Sequence, residues 1–92
     1  MQQKHPSINE FGIPGMAILD VLNSSKQRNN RIRIDRLQRK IGLSILILWP
    51  YIQSLSRHRL VDFAEERGSE FLVLTPHGKE FYRETLEPFL TI

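Results

Sequence analysis

Ile32-Arg33-Ile34-Asp35-Arg36-Leu37, then Ile41-Gly42-Leu43-Ser44, then Leu48, Ile52, Leu55, Leu60 and Val61 form the stretch around which the chain is organised. Ile34, Leu37 and Ile41 fall three and four apart, so they share one face of a short helix. Gly42 takes the positive φ that ends such a helix. Ser44 is placed to cap the next helix by accepting a hydrogen bond from a free backbone N–H. Leu48, Ile52 and Leu55 repeat at helical spacing and pack back on the first helix. Two short helices joined by a tight turn containing glycine make a helix-turn-helix unit.

Working outward, the spacing predicts a first helix over Pro14 to Ser24 with Ile18, Leu19 and Leu22 inward. Ser24 to Asn30 is polar and basic and reads as a loop. Arg31-Ile32-Arg33 alternates as a short strand does. The second helix is expected over Ile34 to Ile41 and the third over Ile45 to His58. The period then changes. Leu60 to Ala64 and Glu70 to Leu74 read as strands, with Glu65 to Ser69 as the hairpin turn and Gly68 at its positive-φ position. Thr75 caps a last helix with Pro76 at its first position. Phe81, Tyr82 and Leu86 face inward, and Pro88 ends that helix. Ser7 to Glu10 has a capping-box pattern, but Gly12, Pro14 and Gly15 follow too soon for a long helix there.

The 92 residues fit one small domain. There is no cysteine, which excludes disulfides and thiolate chemistry. The N-terminus lacks the apolar run of a signal peptide, and the apolar run Ile45 to Trp49 is too short to span a bilayer. A cytoplasmic protein without a membrane partner is the expectation.

Charge is unevenly spread. The formal net charge is +3, yet residues 26–59 carry +8, residues 60–92 carry −4 and residues 1–25 carry −1. A basic half beside an acidic half points to a polyanionic partner; solvated helix faces are the plainer account. The cations Arg28, Arg31, Arg33, Arg36, Arg39 and Lys40 crowd the second helix and the loop before it. Arg57 and Arg59 close the third helix, where they also complement its dipole.

These features together resemble a winged helix-turn-helix domain: α+β, with a three-helix core, a β-hairpin wing and a C-terminal helix. They are similar to regulators of the MarR and PadR type and to small archaeal winged-helix proteins. Gly42-Leu43-Ser44 resembles the turn before the recognition helix. Leu60-Val61 resembles the apolar pair opening the wing, seventeen positions after Ser44. Leu74-Thr75-Pro76-His77-Gly78-Lys79 resembles the signature that follows the wing. The implied division is an arm over residues 1–13, a winged-helix domain over 14–87 and a tail over 88–92. The resemblance implies a transcriptional regulator that binds duplex DNA, often as a homodimer, and neither an enzyme nor a cofactor protein. It implies phosphate contacts from Arg28, Arg31, Arg33, Arg36, Arg39 and Lys40. Ser44, Gln53, Ser54, Arg57 and the wing residue Arg67 complete the expected DNA surface, although Glu65 and Glu66 beside Arg67 repel phosphate.

The third helix departs from that pattern. With Leu48, Ile52 and Leu55 inward, its outer face carries Leu46, Ile47, Pro50, Gln53 and Ser54, with Trp49 at the edge. Base readout normally uses Arg, Lys, Asn or Gln, and here only Gln53 and Ser54 form hydrogen bonds. Either Leu46, Ile47 and Trp49 are a patch that a partner protein or second copy covers, or the helix starts at Pro50 and the preceding residues are extended. Proline inside a helix costs about 3 kcal/mol, but the family length favours a kinked helix from Ser44. Phe63, Phe71, Leu72 and Leu74 read as wing and core packing. Phe81, Tyr82 and Phe89 offer a dimer face, with intramolecular packing the simpler account for Phe81. His5, His58 and His77 have no partner at metal-ligand spacing, and no catalytic motif is present.

Overall fold

The two helices around Gly42 form as their spacing requires. In the computed structural model, which describes residues 11–90 and only the backbone of residues 89 and 90, α2 spans Ile34–Ile41 and α3 spans Ile45–Arg57. Gly42 lies at φ 82°, and its N–H donates to the Gln38 carbonyl at 2.8 Å. Ser44 occupies the N-cap position of α3, but its hydroxyl makes no capping bond. Gln38 satisfies a neighbouring donor at the same helix start: its Oε1 accepts from the Ile45 N–H at 2.9 Å. One α2 side chain thus satisfies an orphan donor of α3 and fixes the two helices together.

α3 runs unbroken through Pro50, so the start at Pro50 is excluded. Leu48, Ile52 and Leu55 are fully buried. Ahead of α2, α1 spans Gly12–Asn23 and buries Ile18, Leu19 and Leu22. It starts before Pro14, which sits in the first turn, where its missing N–H costs no helical hydrogen bond. Phe11, which precedes α1, is fully buried. Its ring meets Phe81 edge-on at 5.6 Å and His58 edge-on at 5.2 Å. A Cβ on Gly15 would come within 2.6 Å of the Phe11 Cβ, so glycine there makes room for that side chain.

The loop after α1 holds one short 3-10 turn, Lys26–Arg28, and leads into β1, Arg31–Arg33. Asn30 is buried in this polar stretch and adopts a left-handed φ of 55°. Its Nδ2 donates to the Leu22 carbonyl at 3.2 Å, capping the end of α1, and its own carbonyl accepts from the Leu74 N–H at 2.9 Å. β2, Val61–Glu66, and β3, Ser69–Leu74, form the hairpin. The sheet is antiparallel in the order β1-β3-β2. The turn is tighter than the expected Glu65 to Ser69: Arg67 and Gly68 alone form it, at φ 54° and 78°. Two successive left-handed residues match the twist of a two-residue hairpin.

After the sheet, α4 spans Pro76–Phe81 and continues through a π-helical turn, Tyr82–Leu86, into α5, Glu87–Leu90. Pro88 therefore does not end the helix. The Glu87 N–H reaches the Tyr82 carbonyl, so the α register is already broken where the proline arrives. Phe81, Tyr82 and Leu86 are buried within the chain, which removes Phe81 and Tyr82 from a dimer face. The Phe89 side chain, the arm up to residue 10 with its capping-box pattern, His5, and residues 91 and 92 of the tail lie outside the described residues.

The Tyr82 hydroxyl donates to Asp20 Oδ1 at 2.6 Å, tying the last helix to α1. Burial first, then that hydrogen bond and the Asp20 charge, push its pKa from 10.0 up to about 12. The unfolded chain releases this proton at the lower pH. The stabilisation is therefore complete below about pH 10 and is lost as pH rises through about 12. Urea midpoints measured across this interval should fall more steeply for the wild type than for Tyr82→Phe.

Candidate nucleic-acid interface

Three elements carry the cations. The 3-10 turn supplies Lys26 and Arg28, β1 supplies Arg31 and Arg33, and α2 supplies Arg36, Arg39 and Lys40. Strand alternation turns Arg31 and Arg33 to one face of the sheet and Ile32 to the core. Arg33 lies opposite Phe71 of β3 in register. The Arg31 guanidinium sits 4.6 Å from the centre of the Phe71 ring and reaches Glu66 at 2.8 Å.

Asp35 is shared between Arg33 at 3.2 Å and Arg39 at 3.4 Å. All three pairs are solvent-accessible, so they orient side chains more than they neutralise charge. Lys26, Arg28, Arg36 and Lys40 form no ion pair among the described residues.

A cleft of about 850 Å³ opens between these elements. Lys26, Arg28, Arg31, Arg33, Arg36 and Lys40 line it together with Phe71, and among the described residues no carboxylate does. A shallower depression of about 500 Å³ is lined by Arg36, Arg39 and Lys40. Arg36 and Lys40 belong to both, so the cationic surface runs unbroken from the loop to the outer end of α2. The sequence reading had six of these seven cations as site residues. Lys26 was counted in the charge but not singled out, although its place two residues before Arg28 was the available signal.

The remaining expected contacts lie elsewhere. Ser44 and Gln53 are exposed, Ser54 is half-buried, and Arg57 is exposed in the last turn of α3. The Ser54 carbonyl accepts from the His58 N–H at 3.2 Å. Arg67 sits at the tip of the hairpin, its left-handed backbone set by the turn. None of these five residues lines the basic cleft.

The outer face of α3 is apolar, as its sequence dictates. Leu46 is 85% exposed, and Ile47 and Trp49 are exposed beside it. Phe63 is 43% exposed, so of the wing and core packing expected for it the wing part applies. Its ring packs against Trp49 of α3 instead, ring centres 5.7 Å apart and planes tilted by 41°. Glu65 and Glu70 line the same small concavity as these two rings and face each other across the strands. Like charges directly opposite destabilise a sheet, so this pair is a cost on the hairpin.

Two solved structures have this architecture. BpsR of Bordetella bronchiseptica, whose DNA binding is regulated by 6-hydroxynicotinic acid, matches with a TM-score of 0.72 over 90% of this chain at 15% identity. F93 from STIV, a winged-helix DNA-binding protein, matches with a TM-score of 0.68 over 94% of this chain and 91% of its own, at 27% identity. The fold is a winged helix-turn-helix.

This winged helix spans 58% of the length of BpsR. No protein-family model and no curated protein matches its sequence. α3 occupies the recognition-helix position of this fold and the β2–β3 hairpin the wing position, so the apolar residues Leu46, Ile47 and Trp49 stand where such domains ordinarily carry polar readers. Among the described residues no helix is long and apolar enough to cross a membrane, and no three His, Cys, Asp or Glu residues are grouped to hold a metal ion.

Proposed function

We propose that this winged helix binds duplex DNA as a cytoplasmic, non-enzymatic transcriptional regulator that works as a homodimer. The observation that carries the reading is the cationic surface from Lys26 to Arg39, with no carboxylate among the described residues lining its cleft. Phosphate contacts come from Arg28, Arg31, Arg33, Arg36, Arg39 and Lys40. Ser44, Gln53, Ser54, Arg57 and Arg67 are secondary contacts, with Gln53 the main reader of a base edge. The DNA binding stated for both structural neighbours supports the partner class. The dimer is the expectation attached to the family resemblance.

The test is anisotropy of a labelled duplex titrated with the full chain at several salt concentrations. Each phosphate contact adds about −0.9 to the slope of log K against log salt on B-DNA, so several contacts give a steep decline. An absence of duplex binding in dilute salt overturns the reading.

A second reading is favoured by the apolar face of α3. Leu46, Ile47 and Trp49, joined by Phe63 and bordered by Glu65 and Glu70, dock a protein segment carrying an apolar anchor next to lysine or arginine. The acidic pair supports this partner, since it attracts cations and repels phosphate. Leu46→Gln combined with Ile47→Gln separates the roles. Duplex affinity should stay within about twofold of wild type, because neither aliphatic side chain donates or accepts a hydrogen bond. A tenfold loss in the same titration assigns the face to the DNA groove instead.

A further inference from the structure

Duplex phosphate contacts leave two features of the basic cleft unexplained. The first is its concavity. A duplex presents its phosphates on a convex cylinder, whereas Lys26, Arg28, Arg36 and Lys40 converge around a hollow of about 850 Å³. The second is an aromatic wall. Phe71 lines the cleft with the Arg31 guanidinium carbon over its ring, 4.6 Å from the ring centre, and Glu66 holds that guanidinium at 2.8 Å. A planar cation backed by an aromatic ring is a platform for a flat heterocycle. Bases within a duplex are already stacked on each other and do not reach such a platform. An unstacked one does.

We infer that the cleft binds a single unstacked nucleotide, its base on the Arg31–Phe71 stack and its phosphates among Lys26, Arg28, Arg36 and Lys40. Four cations that form no ion pair among the described residues repel one another in this hollow, and a phosphate chain relieves that repulsion. Two sources supply this chemistry: a free nucleoside triphosphate, or the unpaired terminal nucleotide of a nucleic acid. The inference deepens the DNA reading, because Arg36 and Lys40 serve both ligands.

The experiment is calorimetric titration of the full chain in dilute salt with ATP and, separately, with inorganic tripolyphosphate, which carries at least as much charge but no base. ATP should bind about tenfold tighter, the size of one base–aromatic stacking interaction. Arg31→Lys keeps the charge but loses the plane. It should erase the advantage of ATP while leaving tripolyphosphate affinity within about twofold. Phe71→Leu should act in the same direction, and Lys40→Gln should weaken both ligands together. ATP binding no tighter than tripolyphosphate, or binding of neither, overturns the inference.

The source is settled by comparing a blunt duplex with one bearing a short single-stranded overhang. Tighter binding of the overhang, displaced by ATP, assigns the cleft to a nucleic-acid end; ATP binding with no gain from the overhang assigns it to a free nucleotide. Arg39 lies outside the cleft, so Arg39→Gln should weaken the blunt duplex without touching ATP. ATP binding without duplex binding leaves this inference standing and removes the DNA reading. Duplex binding without ATP binding does the reverse.

Discussion

Gly78→Ala should be the most destabilising single substitution in the chain, a loss of roughly 3–5 kcal/mol. Gly78 lies in the first turn of α4 and its φ is not among the left-handed values, so its backbone asks for nothing unusual. On conformational grounds alone, alanine in a helix would be favoured by about 0.5–1 kcal/mol. Space decides the matter against it. A Cβ at this position overlaps the Leu60 carbonyl oxygen and comes within 2.7 Å of Leu74 Cδ1.

That carbonyl is not free to swing away. It accepts from the Thr75 N–H at 3.1 Å and lies 3.0 Å from Thr75 Oγ1. The same hydroxyl donates to the Arg59 carbonyl at 2.7 Å and accepts from the Gly78 N–H at 2.8 Å. Leu60 and Leu74 are buried on either side. The added methyl therefore presses on a hydrogen-bonded joint between the end of α3, the sheet and α4. Stabilities of single domains are about 5–15 kcal/mol, so such a loss is a large fraction of the total and lowers the urea midpoint well below that of the wild type.

Gly68→Ala is the control. It meets open space but sits at φ +78°, which costs alanine about 1–2 kcal/mol. Urea denaturation followed by circular dichroism ranks the two variants. If Gly78→Ala unfolds no earlier than Gly68→Ala, the close approach of α4 to Leu60 is not present in solution.

The segment Leu74 to Lys79 marks how far the sequence could be read. Its pattern located the cap and the glycine, because those are local choices of residue. The reason for the glycine lay in the Leu60 carbonyl, which no local pattern names. α2, the turn and α3 were legible for the same reason that Gly78 was findable: apolar spacing and a positive-φ glycine act within a few residues. The error at Ser44 follows from the converse. Residue type favoured a hydroxyl cap, but the Ser44 hydroxyl makes none, and the side chain that does reach this helix start is Gln38, which binds the neighbouring Ile45 N–H through a tertiary contact.

Asn30 and Phe11 were missed on similar grounds. Asn30 looked like one more polar loop residue, and the partners that bury it come from α1 and β3. Only the asparagine pair at 29 and 30 hinted at left-handed backbone. Phe11 stood before Gly12 and Pro14, which read as breakers although both fit the first turn. In the site, the crowding of cations was plain from the chain. Their convergence with Phe71 was not, because a strand some forty positions away supplies that wall through the β1–β3 register.

Replacing Arg36, Arg39 and Lys40 together by glutamine should lower duplex affinity about 30-fold or more in dilute salt and flatten its salt dependence by about three units of slope. Glutamine retains much of the aliphatic stem and a good helix propensity, so α2 persists. Leu37 faces the core between these positions and is untouched. Asp35 loses its contact with Arg39, but that pair is exposed and contributes little stability. The loss is therefore read as binding rather than unfolding, provided the melting temperature is unchanged.

The slope is the sharper measurement. Affinity alone falls for many reasons, whereas the salt exponent counts the counterions that the lost contacts no longer release. A matched variant, Arg57→Gln with Arg67→Gln, should move both quantities much less. Arg57 sits at the negative end of the α3 dipole, and Arg67 shares its hairpin with Glu65, Glu66 and Glu70. If the first variant leaves the exponent at its wild-type value, phosphates are met by some other surface. If the second flattens it equally, the wing and α3 share the load after all. Either way the outer face of α3 limits what is recognised. With Leu46, Ile47 and Trp49 where polar readers would stand, and Gln53 nearly alone, a scrambled duplex should compete almost as well as any chosen sequence.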